Sequence, residues 1–87
     1  MIMELKSIKC TNKTLITGKS VRINFSNGWW YENTLVHILS IVKDNEDIYI
    51  MFKYWSERKR WRLVVMSLDE LEMYNKINDH GDNRKKK

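Results

Sequence analysis

From Ile48 to Trp55 the chain reads Ile-Tyr-Ile-Met-Phe-Lys-Tyr-Trp, eight residues without glycine or proline. An extended backbone places Ile48, Ile50, Phe52 and Tyr54 on one face and Tyr49, Met51, Lys53 and Trp55 on the other. Ser56-Glu57-Arg58-Lys59-Arg60 then turns the chain, and Trp61-Arg62-Leu63-Val64-Val65-Met66 returns it. The middle of the protein is thereby a β-hairpin, with Trp61, Leu63 and Val65 expected toward the core. Between Phe52 and Arg62 this hairpin carries four aromatic rings and five cationic side chains. Rings beside cations offer stacking faces for bases together with partners for phosphates or acidic groups.

The flanking segments extend the β pattern. Leu5–Lys9 and Thr14–Thr17 read as two strands separated by the turn residues Thr11-Asn12-Lys13. Gly18-Lys19 breaks the chain before Val21-Arg22-Ile23-Asn24-Phe25, a period-two strand. Asn27-Gly28 follows, a dipeptide that tolerates positive φ and predicts a fold back onto a strand starting near Trp29. Thr34–Val42 is rich in β-branched residues and apolar on both faces apart from His37 and Ser40, the pattern of a central strand. Lys43–Asp47 is a polar turn. Ser67-Leu68-Asp69-Glu70 is a capping box, which predicts a short helix over 68–77 with Leu68, Leu71 and Tyr74 or Ile77 on its apolar stripe.

Eighty-seven residues make one domain, read as 1–78, followed by a basic tail, 79–87, expected to be disordered. Cys10 has no second cysteine to pair with, and with His37 and His80 it forms no zinc spacing, so a reducing cytoplasm is expected. No signal peptide or membrane span is read in the sequence. Of the net charge of +5, residues 82–87 carry +3, leaving the body nearly balanced but polarised. Acidic groups gather at Asp44/Glu46/Asp47 and Asp69/Glu70/Glu72, basic ones at Arg58–Arg62.

Five or six short strands in meander order, closed by a short helix, predict a small antiparallel barrel, since a meander this small must protect its edges. The segments Gly18–Ile23, Trp30-Tyr31, Val36–Ile41, Ile48–Trp55 and Met66–Leu71 resemble the Tudor-type members of the Src-homology-3-like barrels. The resemblance covers about residues 18–71. It implies binding of methylated Lys or Arg in an aromatic cage, or of nucleic acid or protein, with Trp30, Phe52 and Tyr54 or Trp55 at the cage positions. The chain departs from the family in the loop after the third strand, where Ser-Glu-Arg-Lys-Arg stands in place of an acidic or Asn residue and would repel a methylated cation. The composition, with frequent Lys, Asn and Ile and no proline, is also similar to that of small proteins from AT-rich genomes, including large virulent phages. That similarity implies an accessory protein that binds a host macromolecule.

No glycine-rich phosphate loop, metal cluster or signature carboxylate pair is present, so no enzyme activity and no cofactor are expected. His37 lacks a Ser, Cys or Asp partner at recognisable catalytic spacing, and Cys10 reads as inert. The expected function is a noncatalytic binding module. It would use Trp30, Phe52, Lys53, Tyr54, Trp55, Arg58, Lys59, Arg60 and Arg62 to contact nucleic acid or an acidic protein surface. The alternative is a phage accessory protein, acting in the host cytoplasm, that inhibits or redirects a host protein by direct binding. Either fits a monomer or an edge-paired homodimer. Trp29-Trp30-Tyr31 offers a stacking platform, with the plainer reading that one or two of these rings belong to the core. The terminal Arg84–Lys87 reads as a solubilising tail.

Overall fold

The computed structural model describes residues 1–85, with side chains described as far as Lys76. The expectation for the basic tail, 79–87, falls outside the described side chains. Seven strands precede one helix: β1 Ile2–Glu4, β2 Ser7–Cys10, β3 Lys13–Ile16, β4 Ser20–Ser26, β5 Trp30–Asp44, β6 Asp47–Trp55, β7 Trp61–Ser67 and α1 Leu68–Lys85. The fold is mostly β, as the alternating patterns require. β4, β5, β6 and β7 form an antiparallel meander, with β1 added beside β5, while β2 and β3 form a separate two-stranded sheet. The large sheet curls into a half-barrel with α1 against it. β1 was not anticipated, so the strand count exceeds the expected five or six.

β5 is the spine. Of its fifteen residues, Val36–Asp44 pair with β6 along one edge, while along the other β5 pairs first with β4 over Trp30–His37 and then with β1 over Val42–Asp44. Between these two partners Leu5 N–H donates to the Ile41 carbonyl at 2.8 Å and Gly18 N–H to the Ile38 carbonyl at 2.8 Å, so the edge is not left open. Register shifts between Ile23 and Phe25 and between Ile38 and Ser40 insert an extra residue on one side of each pair, which sharpens twist and curls the sheet. Asn27-Gly28-Trp29 closes the β4–β5 hairpin, with Gly28 at φ +79.

The concave side holds the core. β6 behaves as its alternation predicts: Ile50, Phe52 and Tyr54 are buried, as are Val36, Ile38 and Ile41 of β5. Phe25, Tyr31, Phe52 and Tyr54 form a ring cluster with centroids 4.8–5.1 Å apart, a spacing at which edge and stacked pairs are favourable. Leu15 and Cys10 enter from the β2–β3 hairpin and Leu71 from the helix.

The expected phase of β7 is corrected. Val64 and Met66 face the core, whereas Trp61, Leu63 and Val65 lie outside. The hairpin register pairs Trp55 with Trp61, Lys53 with Leu63 and Phe52 with Val64, and antiparallel partners share a face.

Two buried asparagines fasten the helix to the sheet. Asn24 occupies the β4 irregularity, where its main-chain groups lack regular strand partners. The Asn75 side chain supplies them: its Oδ1 accepts from Asn24 N–H at 3.1 Å and its Nδ2 donates to the Asn24 carbonyl at 3.2 Å and to the Leu71 carbonyl at 2.7 Å. The Asn24 side chain in turn accepts from Asn33 N–H at 2.6 Å. At the helix start the Ser67 hydroxyl accepts from Glu70 N–H at 3.2 Å, one half of the capping box. The Glu70 carboxylate instead accepts from the Tyr74 hydroxyl at 3.0 Å, which raises the Tyr74 phenol pKa. Among the described residues no helix is long and apolar enough to cross a membrane.

Candidate functional site

The β6–β7 hairpin sends its rings and cations to different places. On the convex sheet face, Trp55 and Trp61 meet edge-to-face at 5.2 Å, and Lys53 Nζ stands 4.6 Å from the Trp61 centroid. His37 meets the same indole at 5.2 Å. Its Nδ1 also shares a 2.5 Å hydrogen bond with the Ser20 hydroxyl, a cross-strand partner that sequence spacing did not reveal. Leu35, Leu63 and Val65 extend this face with exposed apolar surface.

The second place is the open end of the half-barrel, where the β4–β5 and β6–β7 turns approach each other. A cleft of about 250 Å³ is lined there by Asn27, Gly28, Trp29, Tyr31, Tyr54, Ser56, Glu57, Arg58 and Arg62. Arg62 pairs across the hairpin with buried Tyr54, so its side chain points to the concave side. Arg62 is itself exposed there, on the outermost strand of the meander and in the lining of the cleft. Lys53 and Arg62 therefore lie on opposite faces and do not form the continuous patch that adjacent strands suggested.

The turn that carries Arg58 is internally hydrogen-bonded. Ser56 N–H donates to the Arg60 carbonyl and Lys59 N–H to the Ser56 carbonyl, both at 2.9 Å, and Lys59 takes φ +61. This leaves Ser56 buried, at 5% exposure, with a hydroxyl that makes no hydrogen bond among the described residues. Around the cleft, Asn27 Nδ2 donates to the Tyr54 hydroxyl at 3.2 Å and the Tyr31 hydroxyl to Glu57 Oε1 at 3.5 Å. The neighbouring Tyr54 hydroxyl, burial and the Glu57 carboxylate push the Tyr31 phenol up to about 12, so it remains a neutral donor at physiological pH. Among the described residues the one ion pair joins the Met1 amino group to Asp44 at 3.9 Å, so Arg58 and Arg62 are both free of carboxylate partners there.

The expected site residues thus separate. Arg58 and Arg62 are brought together at the mouth, with Lys59 and Arg60 exposed on the turn beside them. Lys53 and Trp55 belong to the convex face. Phe52, at 0% exposure, is core, and Tyr54 contributes only its hydroxyl to the cleft. Trp30 rests edge-on against Tyr74 of α1 at 5.7 Å. Trp29, 70% exposed, is the ring at the mouth. Asn27, Ser56 and Glu57 escaped the sequence reading, where they figured only as turn residues.

Charge is polarised along β6. Glu46 and Asp47 at its start share a small pocket with Asp69 at the start of the helix, whereas Arg58 and Arg62 lie beyond its end. Nine strand residues separate these ends by on the order of 30 Å, several times the screening length of about 8 Å at physiological salt. A polyanion meeting the mouth is therefore little affected by the acidic end. Cys10 is buried, and burial first and Glu72 second raise its thiol from 9.0 to about 11, which fits an unreactive side chain. Among the described residues no group of three His, Cys, Asp or Glu is arranged to hold a metal. Compared with protein-family models, curated proteins and solved structures, the chain matches none.

Proposed function

We propose that this protein is a noncatalytic binding module, a small Tudor-like or Src-homology-3-like barrel that grips single-stranded nucleic acid at its open end. The observation that carries the reading is the meeting of two guanidinium groups, Arg58 and Arg62, which form no ion pair among the described residues, with the exposed Trp29 ring in one cleft. Guanidinium groups neutralise phosphates while an indole stacks a base, the combination used by sequence-tolerant single-strand binders. The buried, unpaired thiol of Cys10 supports a reducing cytoplasm as the place of action.

Replacing Arg58, Lys59 and Arg60 together with Ala tests the proposal. Affinity for a labelled single-stranded oligonucleotide should fall, and the slope of log affinity against log salt should flatten by roughly two, since each lost phosphate contact removes about 0.7. An unchanged affinity and slope would reject the basic turn as the contact.

A second reading has its own support. Leu35, Trp55, Trp61, Leu63 and Val65 are each more than two-fifths exposed on the convex face, and β7 pairs only with β6. Such a face suits an adaptor or inhibitor that acts by protein–protein binding, including an accessory protein directed at a host protein. A stoichiometric protein partner that survives nuclease treatment in a pull-down would favour this reading over nucleic acid.

A further inference from the structure

The outer strands of the large sheet treat their free edges differently. On β4 the outward groups are taken up from within the chain: Asn24 N–H and carbonyl bond to Asn75 of α1, and Lys13 Nζ donates to the Arg22 carbonyl. β1 is only three residues long. β7 runs for seven residues, keeps one register with β6 from Tyr49–Ser67 to Trp55–Trp61 without a bulge, and contains no proline. From Trp61 to Val65 it forms no main-chain hydrogen bond with any segment but β6 among the described residues. Short strands, bulges, prolines and outward charges protect sheet edges, and β7 has none of them. Its charged residue, Arg62, points to the concave side.

The hairpin fixes which groups face that open edge. Ser56 N–H donates to the Arg60 carbonyl, so the pairs that exchange hydrogen bonds along the hairpin are Tyr54–Arg62, Phe52–Val64 and Ile50–Met66. The N–H and C=O groups of Trp61, Leu63 and Val65 therefore point away from β6. The same three side chains lie on the convex face, 48%, 62% and 60% exposed. An unpaired main-chain row and an apolar row thus coincide on alternate residues. Charge selects what covers them. Exposed Lys59 and Arg60 precede the strand, and exposed Asp69 and Glu70 follow it. A second copy laid antiparallel sets each basic end beside the other's acidic end, whereas a parallel copy would set like beside like. The strand is complementary to itself, the condition for a two-fold interface.

We propose that two copies of this chain join their β7 edges antiparallel into one continuous sheet, about a two-fold axis at Leu63. Leu63 pairs with the partner's Leu63 and Trp61 with the partner's Val65. The outward N–H and C=O groups of all three residues then find partners, and their side chains form one apolar strip across the axis. The mouth cleft lies on the concave side and stays open. This inference stands on the edge and its charges and does not depend on the nucleic-acid reading.

The test follows the mass of the full chain by sedimentation equilibrium from micromolar to millimolar concentration, with amide hydrogen exchange at both ends of the range. The mass should rise from monomer toward dimer. The amides of Trp61, Leu63 and Val65 should gain protection at the high end, while those of Arg62 and Val64, bonded inside the hairpin, should not change. Leu63→Lys sets two ammonium groups against each other at the axis and should weaken association roughly tenfold or more, with the unfolding midpoint of the dilute protein held because the side chain is exposed. Arg60→Glu should weaken association severalfold, and Asp69→Lys added to it should restore it. A chain that stays monomeric throughout, or a dimer that survives Leu63→Lys, overturns the proposal. A dimer whose three outward amides remain unprotected means that copies stack face to face and overturns the edge pairing. Association strengthened by Arg60→Glu means that like ends meet and overturns the antiparallel orientation. A monomer that binds a different protein through β7 assigns the edge to that protein and equally overturns the dimer.

Discussion

The convex face and the mouth of this half-barrel are built from the same hairpin, yet they differ in whether their polar groups are already satisfied. On the convex face Lys53 lies over Trp61, Trp55 meets Trp61 edge-on, and His37 is held between Ser20 and the same indole. At the mouth, Arg58 and Arg62 lack carboxylate partners among the described residues, and the Ser56 hydroxyl is buried without any. A cation and a ring that engage each other stabilise the sheet. A cation and a ring that line the same cleft without engaging each other leave both available, which is what the proposed function uses. Mere adjacency of rings and charges in sequence does not separate these cases; strand alternation does.

The comparison breaks most completely if the shared scaffold is removed. Phe52→Ala should cost about 3–5 kcal/mol, because the side chain is fully buried in the four-ring cluster beneath both surfaces. Denaturant unfolding should show the loss, and a cost below 1 kcal/mol would contradict a core role. Asn75→Leu comes next. It leaves the Asn24 main-chain N–H and carbonyl unsatisfied at the β4 irregularity, so stability should fall by about 2–3 kcal/mol. Little change in the unfolding midpoint would mean that the asparagine pair does not hold the helix to the sheet.

Arg62→Ala separates the two surfaces. Oligonucleotide affinity should drop roughly tenfold while stability changes by less than about 0.5 kcal/mol, since the residue is exposed and forms no ion pair among the described residues. The converse is Lys53→Met, which should leave oligonucleotide affinity unchanged and lower stability by about 0.5–1 kcal/mol through loss of the contact with Trp61. Interchanged outcomes for these two variants would reverse the roles assigned to the faces. Cys10 gives the smallest effect at neutral pH. Its folded thiol is raised from 9.0 to about 11, so the folded state disfavours the thiolate. Stability should be independent of this group below about pH 9 and fall as pH rises from 9 toward 11, with a Cys10→Ala variant lacking that decline.

Much of the scaffold was legible because certain segments obey one rule at a time. β6 alternates cleanly, Asn27-Gly28 marks a turn, and Ser67 caps α1, each visible in a few residues. β7 was not legible in its phase. Five of the six residues from Trp61 to Met66 are apolar, so hydrophobicity alone permits either face. The register decides otherwise. Trp55 pairs with Trp61, and Arg62 can point to the concave side because on β7 it stays exposed at the cleft. The candidate site was legible in Arg58 and Arg62 but not in Asn27 or Glu57, which reach the cleft lining only because two turns approach each other. Phe52 and Tyr54 were read as contact rings because sequence records their chemistry and not their side of the sheet.

Four tryptophans give four indole N–H signals, and each occupies a distinct place: Trp29 at the mouth, Trp30 against α1, and Trp55 with Trp61 on the convex face. A nitrogen–proton correlation spectrum recorded during titration with a single-stranded oligonucleotide reads them separately. The Trp29 signal should move in proportion to saturation while those of Trp55 and Trp61 stay in place. Movement confined to Trp55 and Trp61 would contradict the assignment of binding to the mouth.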